Sequence, residues 1–366
     1  VMNGDLIWTS RQLFAGPIFG INSISRNGAF ARAYWQGSGK VQDSVELRLL
    51  GDSGKFLQMS ELNCDGYWEI ESSEAPSCIF AWSSCGRYLA AAHDQNSYVL
   101  LYDLRFGYRG LVVFPWSHET VSICWSPDGK YLASAGWELL ISECEWDSHQ
   151  NEIYGLKPWL SVVPFNLSAE SEAKAVCWST CSFSPDGRFL FAVALIAPSQ
   201  AIFLVYESRS LSVVFSFETT VPDQTAPTSG NSHSWSEDSD AIFFCINGQL
   251  HYAKRVAETR LFKQTETNVV AELVACNPRY NLVATIHRQV DKITNDMYGT
   301  LEPGSWKLSI MLRSNLKIVA EYDITSEPVC VQWDRNGNEI WVQCEDGIVI
   351  QGQIPSTLRT NGTKKP

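Results

Sequence analysis

The chain has 366 residues, of which 45% are hydrophobic and 12% are aromatic, a composition too apolar for a disordered protein and sufficient for a large core. Its 28 basic and 40 acidic side chains give a formal net charge of −12 with no basic stripe, which argues against direct nucleic-acid binding and favours a basic partner. The apolar runs are far too short to cross a bilayer, and the first residues lack the features of a signal peptide.

A five-residue frame recurs along the chain, with a large apolar anchor at its first position and, in most copies, a turn glycine at its fifth. In chain order the anchors are Ile24, Trp82, Trp125, Phe183, Trp235, Cys276 and Trp333. Successive anchors are 41 to 58 residues apart, and the shortest steps match the ~40–45-residue length of a four-stranded propeller blade. The seven anchors therefore predict seven blades, some of which carry insertions.

Alternating apolar residues predict strands before the anchors, as at Val121, Ile123 and Trp125. The Asp-Gly and Asn-Gly pairs after the anchors are typical of tight hairpins, and no long segment has helical periodicity. We therefore predict an all-β fold, a seven-bladed β-propeller of four-stranded antiparallel blades. Residues 1–356 are expected to form one propeller, closed by pairing of "DLIWTSR" with "GIVIQGQI", and 357–366 a disordered basic tail.

The repeats resemble those of the WD40 family over roughly residues 20 to 353. In blade two, "WSSCGRYLAAAHDQNSYVLLYDLR" is similar to a full repeat, with Tyr102 and Asp103 where the family usually has Trp-Asp. In blade three, His118 lies near the position of the family's Gly-His. No blade has the family's complete hydrogen-bonded set, so we expect these WD40-like blades to be held mainly by packing, with the anchor tryptophans filling the space between neighbouring blades.

The eleven cysteines are scattered singly among apolar strand residues, which predicts buried free thiols in a reducing compartment, either the cytoplasm or the nucleus. No Cys/His set has the spacing of zinc ligands. We therefore predict no metal site and no cofactor.

Acidic residues precede several of the predicted inner strands, where a propeller of this family gathers its loops on one face. Glu119 and Glu327 both stand six residues before their anchors, and Glu74 precedes the inner strand of blade two. Converging carboxylates at this face would attract a Lys/Arg-rich segment. Glu74, Glu119 and Glu327 are therefore candidate partner-binding residues, although ordinary solvated glutamates also occur at strand starts.

Two long insertions are predicted on the same face. Residues 219–233 precede the inner strand of blade five, and 289–305 join the second and third strands of blade six. Long loops are often functional, and Met297, Tyr298 and Leu301 would supply apolar contacts to a partner. A third insertion, 147–160, is expected on the opposite face, with Tyr154 and Trp159 as a second candidate contact.

These features predict a non-catalytic interaction scaffold or recognition subunit of a larger complex, which binds a protein or peptide partner on its loop-bearing face. The alternative is a propeller enzyme, a lactonase-like metal-dependent hydrolase with its site in the central channel. Such an enzyme needs hard oxygen ligands deep in the channel, whereas the inner strand positions read Val, Cys, Ile, Ser and Phe. The sequence therefore favours the binding module.

Overall fold

The computed structural model describes residues 7–12, 23–24, 29–34, 44–50, 56–63, 78–93, 98–103, 110–115, 120–147, 152–162, 176–196, 199–221, 232–257, 259, 261–289, 305–346 and 348–360. Within these residues the strands form seven four-stranded sheets. The first strand, β1 (Ile7–Gln12), belongs to the last of these sheets. The sheets are numbered 1 to 7 by the order of their remaining strands.

Sheets 1 to 4 follow one another along the chain, and each takes its strands in sequence order. Sheet 1 consists of β2 (Ser23–Ile24), β3 (Ala29–Tyr34), β4 (Ser44–Leu50) and β5 (Phe56–Asn63). Sheet 2 consists of β6 (Cys78–Trp82), β7 (Tyr88–His93), β8 (Tyr98–Asp103) and β9 (Gly110–Pro115). Sheet 3 consists of β10 (Thr120–Trp125), β11 (Tyr131–Gly136), β12 (Leu139–Asp147) and β13 (Glu152–Val162). Sheet 4 consists of β14 (Val176–Phe183), β15 (Phe189–Ile196), β16 (Gln200–Glu207) and β17 (Val213–Thr220).

Sheets 5 and 6 have the same strand order. In sheet 7 the fourth strand is β1, which precedes all the other described strands in the sequence. Sheet 5 consists of β18 (His233–Trp235), β19 (Ala241–Ile246), β20 (Gln249–Arg255) and β21 (Phe262–Val270). Sheet 6 consists of β22 (Leu273–Cys276), β23 (Leu282–Arg288), β24 (Trp306–Leu312) and β25 (Ile318–Ile324). Sheet 7 consists of β26 (Pro328–Trp333), β27 (Glu339–Cys344), β28 (Ile348–Gln353) and β1. In sheet 7, β1 runs antiparallel to β28, with Ile7 opposite Gln353 and Gln12 opposite Ile348.

The chain divides into two compact units. One unit spans 18–230 and 255–263 and holds sheets 1 to 4; the other spans 1–17, 231–254 and 264–366 and holds sheets 5 to 7. Within each unit the first strands of neighbouring sheets pack against each other, β2 on β6, β6 on β10 and β10 on β14 in one, and β18 on β22 and β22 on β26 in the other. The assignment of 1–356 to one closed propeller stays a prediction.

The predicted anchors coincide with the ends of the first strands. Each of the seven anchors is the last residue of the first strand in its sheet. The turn residue four positions later has a positive φ, between 57° and 72°, at Gly86, Gly129, Gly187, Ser239 and Gly337. In these five sheets the frame is therefore confirmed as a strand followed by a left-handed turn, even where serine replaces the glycine.

Side chains hold the "SPDG" turns in a fixed shape. In the first of them, the Ser126 hydroxyl donates to Asp128 Oδ1 (2.6 Å) and accepts from the Tyr131 N–H (2.9 Å). Asp128 Oδ1 also accepts from the Lys130 N–H (3.1 Å). Equivalent bonds recur at Ser184 and at Ser236. Because these bonds are local in sequence, the turns form wherever the motif is present.

The anchor tryptophans of sheets 3 and 7 fill the space between neighbouring sheets, as predicted. Trp125 is buried and donates from Nε1 to the Ala81 carbonyl of sheet 2 (3.0 Å). Trp333 is buried and donates in the same way to the Ala275 carbonyl of sheet 6 (3.0 Å). Both rings also belong to apolar clusters shared by the two sheets that they join. Each indole therefore packs and hydrogen-bonds across the same interface.

The nine cysteines whose side chains are described are free thiols, as the sequence predicts, and all except the exposed Cys85 are buried or half-buried. The Sγ atoms of Cys124 in sheet 3 and Cys181 in sheet 4 are 3.6 Å apart. Burial and the neighbouring Cys181 raise the pKa of Cys124 well above its ordinary value. The Cys124 thiol is therefore protonated at neutral pH.

The expected disordered tail is wrong for residues 357–360. A short helix, α1, spans Ser356–Thr360. Leu358 packs against the apolar core of sheets 6 and 7, and Arg359 Nε donates to the Ile354 carbonyl (2.8 Å). The composition of the tail gave no sign of this docking because it depends on individual contacts such as those of Leu358 and Arg359. Residues 361–366 lie outside the described residues.

Candidate partner-binding surfaces

Of the six residues predicted to bind a partner, the structure describes one. Glu327 is exposed and lies between β25 and β26, directly before the inner strand of sheet 7. The other five, Glu74, Glu119, Met297, Tyr298 and Leu301, lie outside the described residues. The predicted positions therefore remain predictions, except that Glu327 does precede an inner strand.

Glu327 has an acidic neighbour that the sequence reasoning missed. Glu272 lies directly before β22, the inner strand of the adjacent sheet 6. The residue as a whole is exposed, but partial burial of its carboxyl group raises its pKa, and the Glu327 carboxylate raises it further. A backbone hydrogen bond and the positive charge of Arg288 oppose this shift. The carboxylates of Glu272 and Glu327, from neighbouring sheets, therefore lie close enough to interact electrostatically, and Arg288 lies beside Glu272.

The 289–305 insertion begins and ends next to this site. The Gln289 N–H donates to the Ser305 carbonyl (2.8 Å), and the Ser305 hydroxyl donates to Gln289 Oε1 (2.8 Å). Beside them the Arg288 guanidinium lies 6.0 Å from the centre of the Trp306 ring. The base of the insertion is thus held together, while 290–304 lie outside the described residues, as do 222–231 of the 219–233 insertion.

The predicted insertion at 147–160 is mostly strand. Only 148–151 lie outside the described residues, and β13 continues the pairing with β12 from Glu152 onward. The register shifts between Ile141 and Ser142, so that Trp159 has no opposite residue in β12. Its ring is 41% exposed and stacks on Tyr131, with the ring centres 4.8 Å apart. Trp159 is therefore an exposed ring in a fixed position.

This stacked pair lines a groove between sheets 3 and 4, with a volume of about 660 Å³. The walls are the two "SPDG" turns, the turn between β16 and β17, and the Trp159 strand. Three basic and three acidic side chains line it: Lys130, Arg188, Arg209, Asp128, Asp186 and Glu207. Sequence reasoning proposed Trp159 as a contact but missed the groove, because its walls are far apart in the chain.

Three histidines in the unit of sheets 5 to 7 have lowered pKa values. Burial lowers the pKa of His233 to about 4. Burial also lowers the pKa of His251, and burial together with the charge of Lys307 lowers that of His287. All three side chains are therefore neutral at physiological pH.

We expect the free energy of unfolding to fall by about 2 kcal/mol between pH 7 and pH 5 through His233 alone. An unfolded histidine titrates near pH ~6.5, so below that pH the unfolded chain binds a proton that the folded chain does not bind until about pH 4. Urea unfolding at several pH values, compared with His233→Gln, measures this contribution. Equal pH slopes in the two proteins would contradict it.

Within the described residues, no group of three or more His, Cys, Asp or Glu side chains is arranged to hold a metal ion. The same part of the chain contains no helix with the length and apolarity needed to cross a membrane.

Within each unit, the described sheets have four antiparallel strands and pack through their first strands, which is the arrangement of blades in a β-propeller. Comparison with solved structures agrees: a chain in the crystal structure of the mitotic checkpoint complex is similar with a TM-score of 0.63 and 14% identity, over 97% of this chain and 94% of that one. The β-propeller domain of Myceliophteria thermophila Cps50 (Swd1) is similar with a TM-score of 0.61 and 14% identity, over 95% of this chain and 100% of that one.

One repeat of the chain also matches a known family model. Residues 111–141, which include β10 and β11, match the family model described as WD domain, G-beta repeat. The chain is therefore a β-propeller with one segment that matches the WD40 repeat.

Proposed function

We propose that this propeller is a non-catalytic scaffold or recognition subunit that binds a protein partner. In this proposal the seven sheets are the blades of a single ring formed by residues 1–356, and the loops before the inner strands form the binding face. The likeness to a chain of the mitotic checkpoint complex supports a role in a protein assembly. Fold likeness alone does not define a partner, so the chemistry of the face has to be argued from its residues.

The observation that carries the proposal is the pair of carboxylates Glu272 and Glu327 at neighbouring inner strands. The Glu327 carboxylate raises the pKa of Glu272, and a Lys or Arg side chain from a partner would relieve that repulsion. Glu74 and Glu119 precede the inner strands of other blades and would extend the same negative potential. The partner is therefore expected to present a Lys/Arg-rich segment.

The 289–305 insertion would complete this face with apolar contacts. Its base is held by Gln289 and Ser305 beside Arg288, the residue that faces Glu272. Met297, Tyr298 and Leu301 lie within the insertion, and methionine and tyrosine are enriched in protein interfaces. Together these residues would combine charge attraction with a small apolar anchor.

We expect the charge reversal Glu272→Lys/Glu327→Lys to reduce recovery of the partner about tenfold, because it replaces an attractive site with a repulsive one. The measurement is affinity purification of the tagged protein at low salt with quantitative mass spectrometry. The matched control is Glu218→Lys/Glu266→Lys, which changes the net charge equally on the outermost strands of sheets 4 and 5.

Recovery of a stoichiometric partner by wild type and control, but not by the Glu272/Glu327 variant, supports the acidic face. Equal recovery by all three proteins contradicts the acidic face, and absence of any stoichiometric partner contradicts the scaffold role. Met297→Ala/Tyr298→Ala, assayed alongside, separates the contribution of the insertion from that of the carboxylates.

A further inference from the structure

The groove between sheets 3 and 4 is a second, independent feature of the molecule. At about 660 Å³ it falls in the ~300–1,000 Å³ range of ligand sites, which gives room for a few residues of an extended peptide. It is built on the turns that follow β10 and β14, whereas Glu272 and Glu327 precede inner strands. Within sheets 3 and 4, the groove therefore lies at the far ends of β10 and β14 from the loops that precede these strands.

One wall of the groove is an aromatic platform. Tyr131 supports one face of the Trp159 ring, and Phe183 from the neighbouring sheet adds a third aromatic side chain. The stacking on Tyr131 already holds the Trp159 side chain in place. A ligand that covers its exposed surface therefore causes little further loss of side-chain entropy. Exposed tryptophans of this kind are typical anchors in protein interfaces.

The acidic side chains of the groove are already satisfied by donors of the protein. Asp128 accepts from the Ser126 hydroxyl and the Lys130 N–H. Glu207 accepts from the Ser210 hydroxyl (2.6 Å). Partial burial raises the pKa of Asp186, but hydrogen bonds from Ser184 and Arg188 and the Arg188 charge outweigh it, so that its pKa is lowered overall.

The basic side chains are not all matched in this way. Arg188 pairs with Asp186 at 2.5 Å. Lys130 and Arg209 are exposed and make no ion pair with any described residue. These two cations come from sheets 3 and 4 respectively and line the same groove as Trp159. The chain as a whole is acidic, with a formal charge of −12. Two exposed cations without ion-pair partners among the described residues, next to an aromatic ring, differ from this overall character and favour an anionic ligand.

We propose that this groove binds a short acidic segment of a partner protein. One large apolar side chain of that segment packs on Trp159, and carboxylates flanking it pair with Lys130 and Arg209. Lys130 lies on the sheet 3 wall of the groove and Arg209 on the sheet 4 wall. An extended chain can contact both walls at once. This site is separate from the acidic face, and the two would bind segments of opposite charge.

A phage-displayed library of random octapeptides, selected on the wild-type protein at low salt, tests the proposal directly. The enriched sequences should carry one aromatic or large aliphatic residue flanked by Asp or Glu. The best of them, synthesised with a fluorescent label, is then titrated by fluorescence anisotropy. We expect Trp159→Ala to weaken its binding about tenfold and Lys130→Glu/Arg209→Glu about fivefold or more.

The control is Trp137→Ala. Trp137 is more exposed than Trp159, at 53%, and follows β11 at the end remote from Tyr131, roughly 20 Å away for six residues of strand. Its loss should change the affinity less than about twofold if Trp159 is the specific anchor.

Enrichment of basic sequences, no enrichment, or a peptide that binds the Trp159→Ala protein as tightly as wild type would overturn the proposal. Because these variants leave Glu272 and Glu327 unchanged, such a failure does not affect the acidic-face proposal. Loss of the basic partner in the Glu272/Glu327 variant likewise does not affect the groove.

Discussion

Arg87→Met is expected to lower the free energy of unfolding by about 3–5 kcal/mol, the usual cost of leaving a buried charge without its partner. Asp103 is fully buried, with 0% of its side chain exposed, and Arg87 is 17% exposed. Arg87 Nε donates to Asp103 Oδ2 at 2.9 Å, and Nη2 donates to the same oxygen. The substitution keeps most of the apolar stem of Arg87 but removes both donors.

A third residue makes this pair more sensitive. The Arg87 guanidinium lies 4.5 Å from the centre of the Tyr88 ring, and burial together with the charge of Asp103 raises the pKa of Tyr88 to about 12. Without Arg87, the tyrosine hydroxyl and the carboxylate would both lose the cation that faces them. Arg87 therefore neutralises a small buried network and not only one carboxylate.

The matched control is Arg188→Met, which removes an arginine from the same place in another turn. Arg188 and Asp186 are 55% and 31% exposed, so their pair should contribute less than about 1 kcal/mol. Urea unfolding of both variants gives the comparison. The double variant Arg87→Met/Asp103→Leu should recover much of the lost stability because no unpaired charge remains. Equal losses in the two single variants would contradict the assignment.

Gly337→Ala is expected to cost about 3–5 kcal/mol, of which about 1–2 kcal/mol is backbone strain and the rest steric conflict with lost hydrogen bonds. Gly337 has a φ of +69°, and a Cβ atom there would lie 2.3 Å from Asn277 Oδ1. Asn277 is fully buried. Its Nδ2 donates to the Gly337 carbonyl (2.9 Å), and its Oδ1 accepts from the N–H groups of Arg279 (2.9 Å) and Tyr280 (2.7 Å). The amide cannot move aside without losing these bonds.

Gly129→Ala separates the two contributions. Gly129 occupies the same turn position with a φ of +70°, but a Cβ atom there would meet nothing within 4 Å. Its substitution should therefore cost only the strain of about 1–2 kcal/mol. The difference between the two unfolding free energies measures the contact between sheets 6 and 7. If both alanine variants lose the same amount, Asn277 does not fix this contact.

Features of the fold that depend only on residues close together in the sequence were predictable. The seven anchors, including the weak copies at Ile24 and Cys276, end the first strands because an alternating strand and a self-bonded turn need no distant partner. The inward role of Trp125 and Trp333 followed from their fixed place in the repeat.

The candidate sites were less predictable because they depend on contacts between residues far apart in the chain. Glu272 stands four residues before its anchor and Glu327 six before its own, so a rule based on a shared offset missed the first. A carboxylate directly before an inner strand, irrespective of offset, was the signal that could have found it. The groove needs Trp159 without a strand partner and two turns from different sheets, and no local pattern contains that arrangement.

The pairing of β1 with β28 has a consequence for the order in which the protein is assembled on the ribosome. β1 emerges before the other described strands, yet its only hydrogen-bonded neighbour among them is β28, the last of these strands. Sheets 1 to 6 consist of strands close in sequence and are free to form as they emerge, whereas sheet 7 waits until the last strand has been synthesised. Joining segments so far apart carries a loop-closure cost that rises only slowly with length, and folding of the sheets in between would shorten the effective loop. Completion of sheet 7 is therefore the step in which residues 7–12 and 348–353 are brought together.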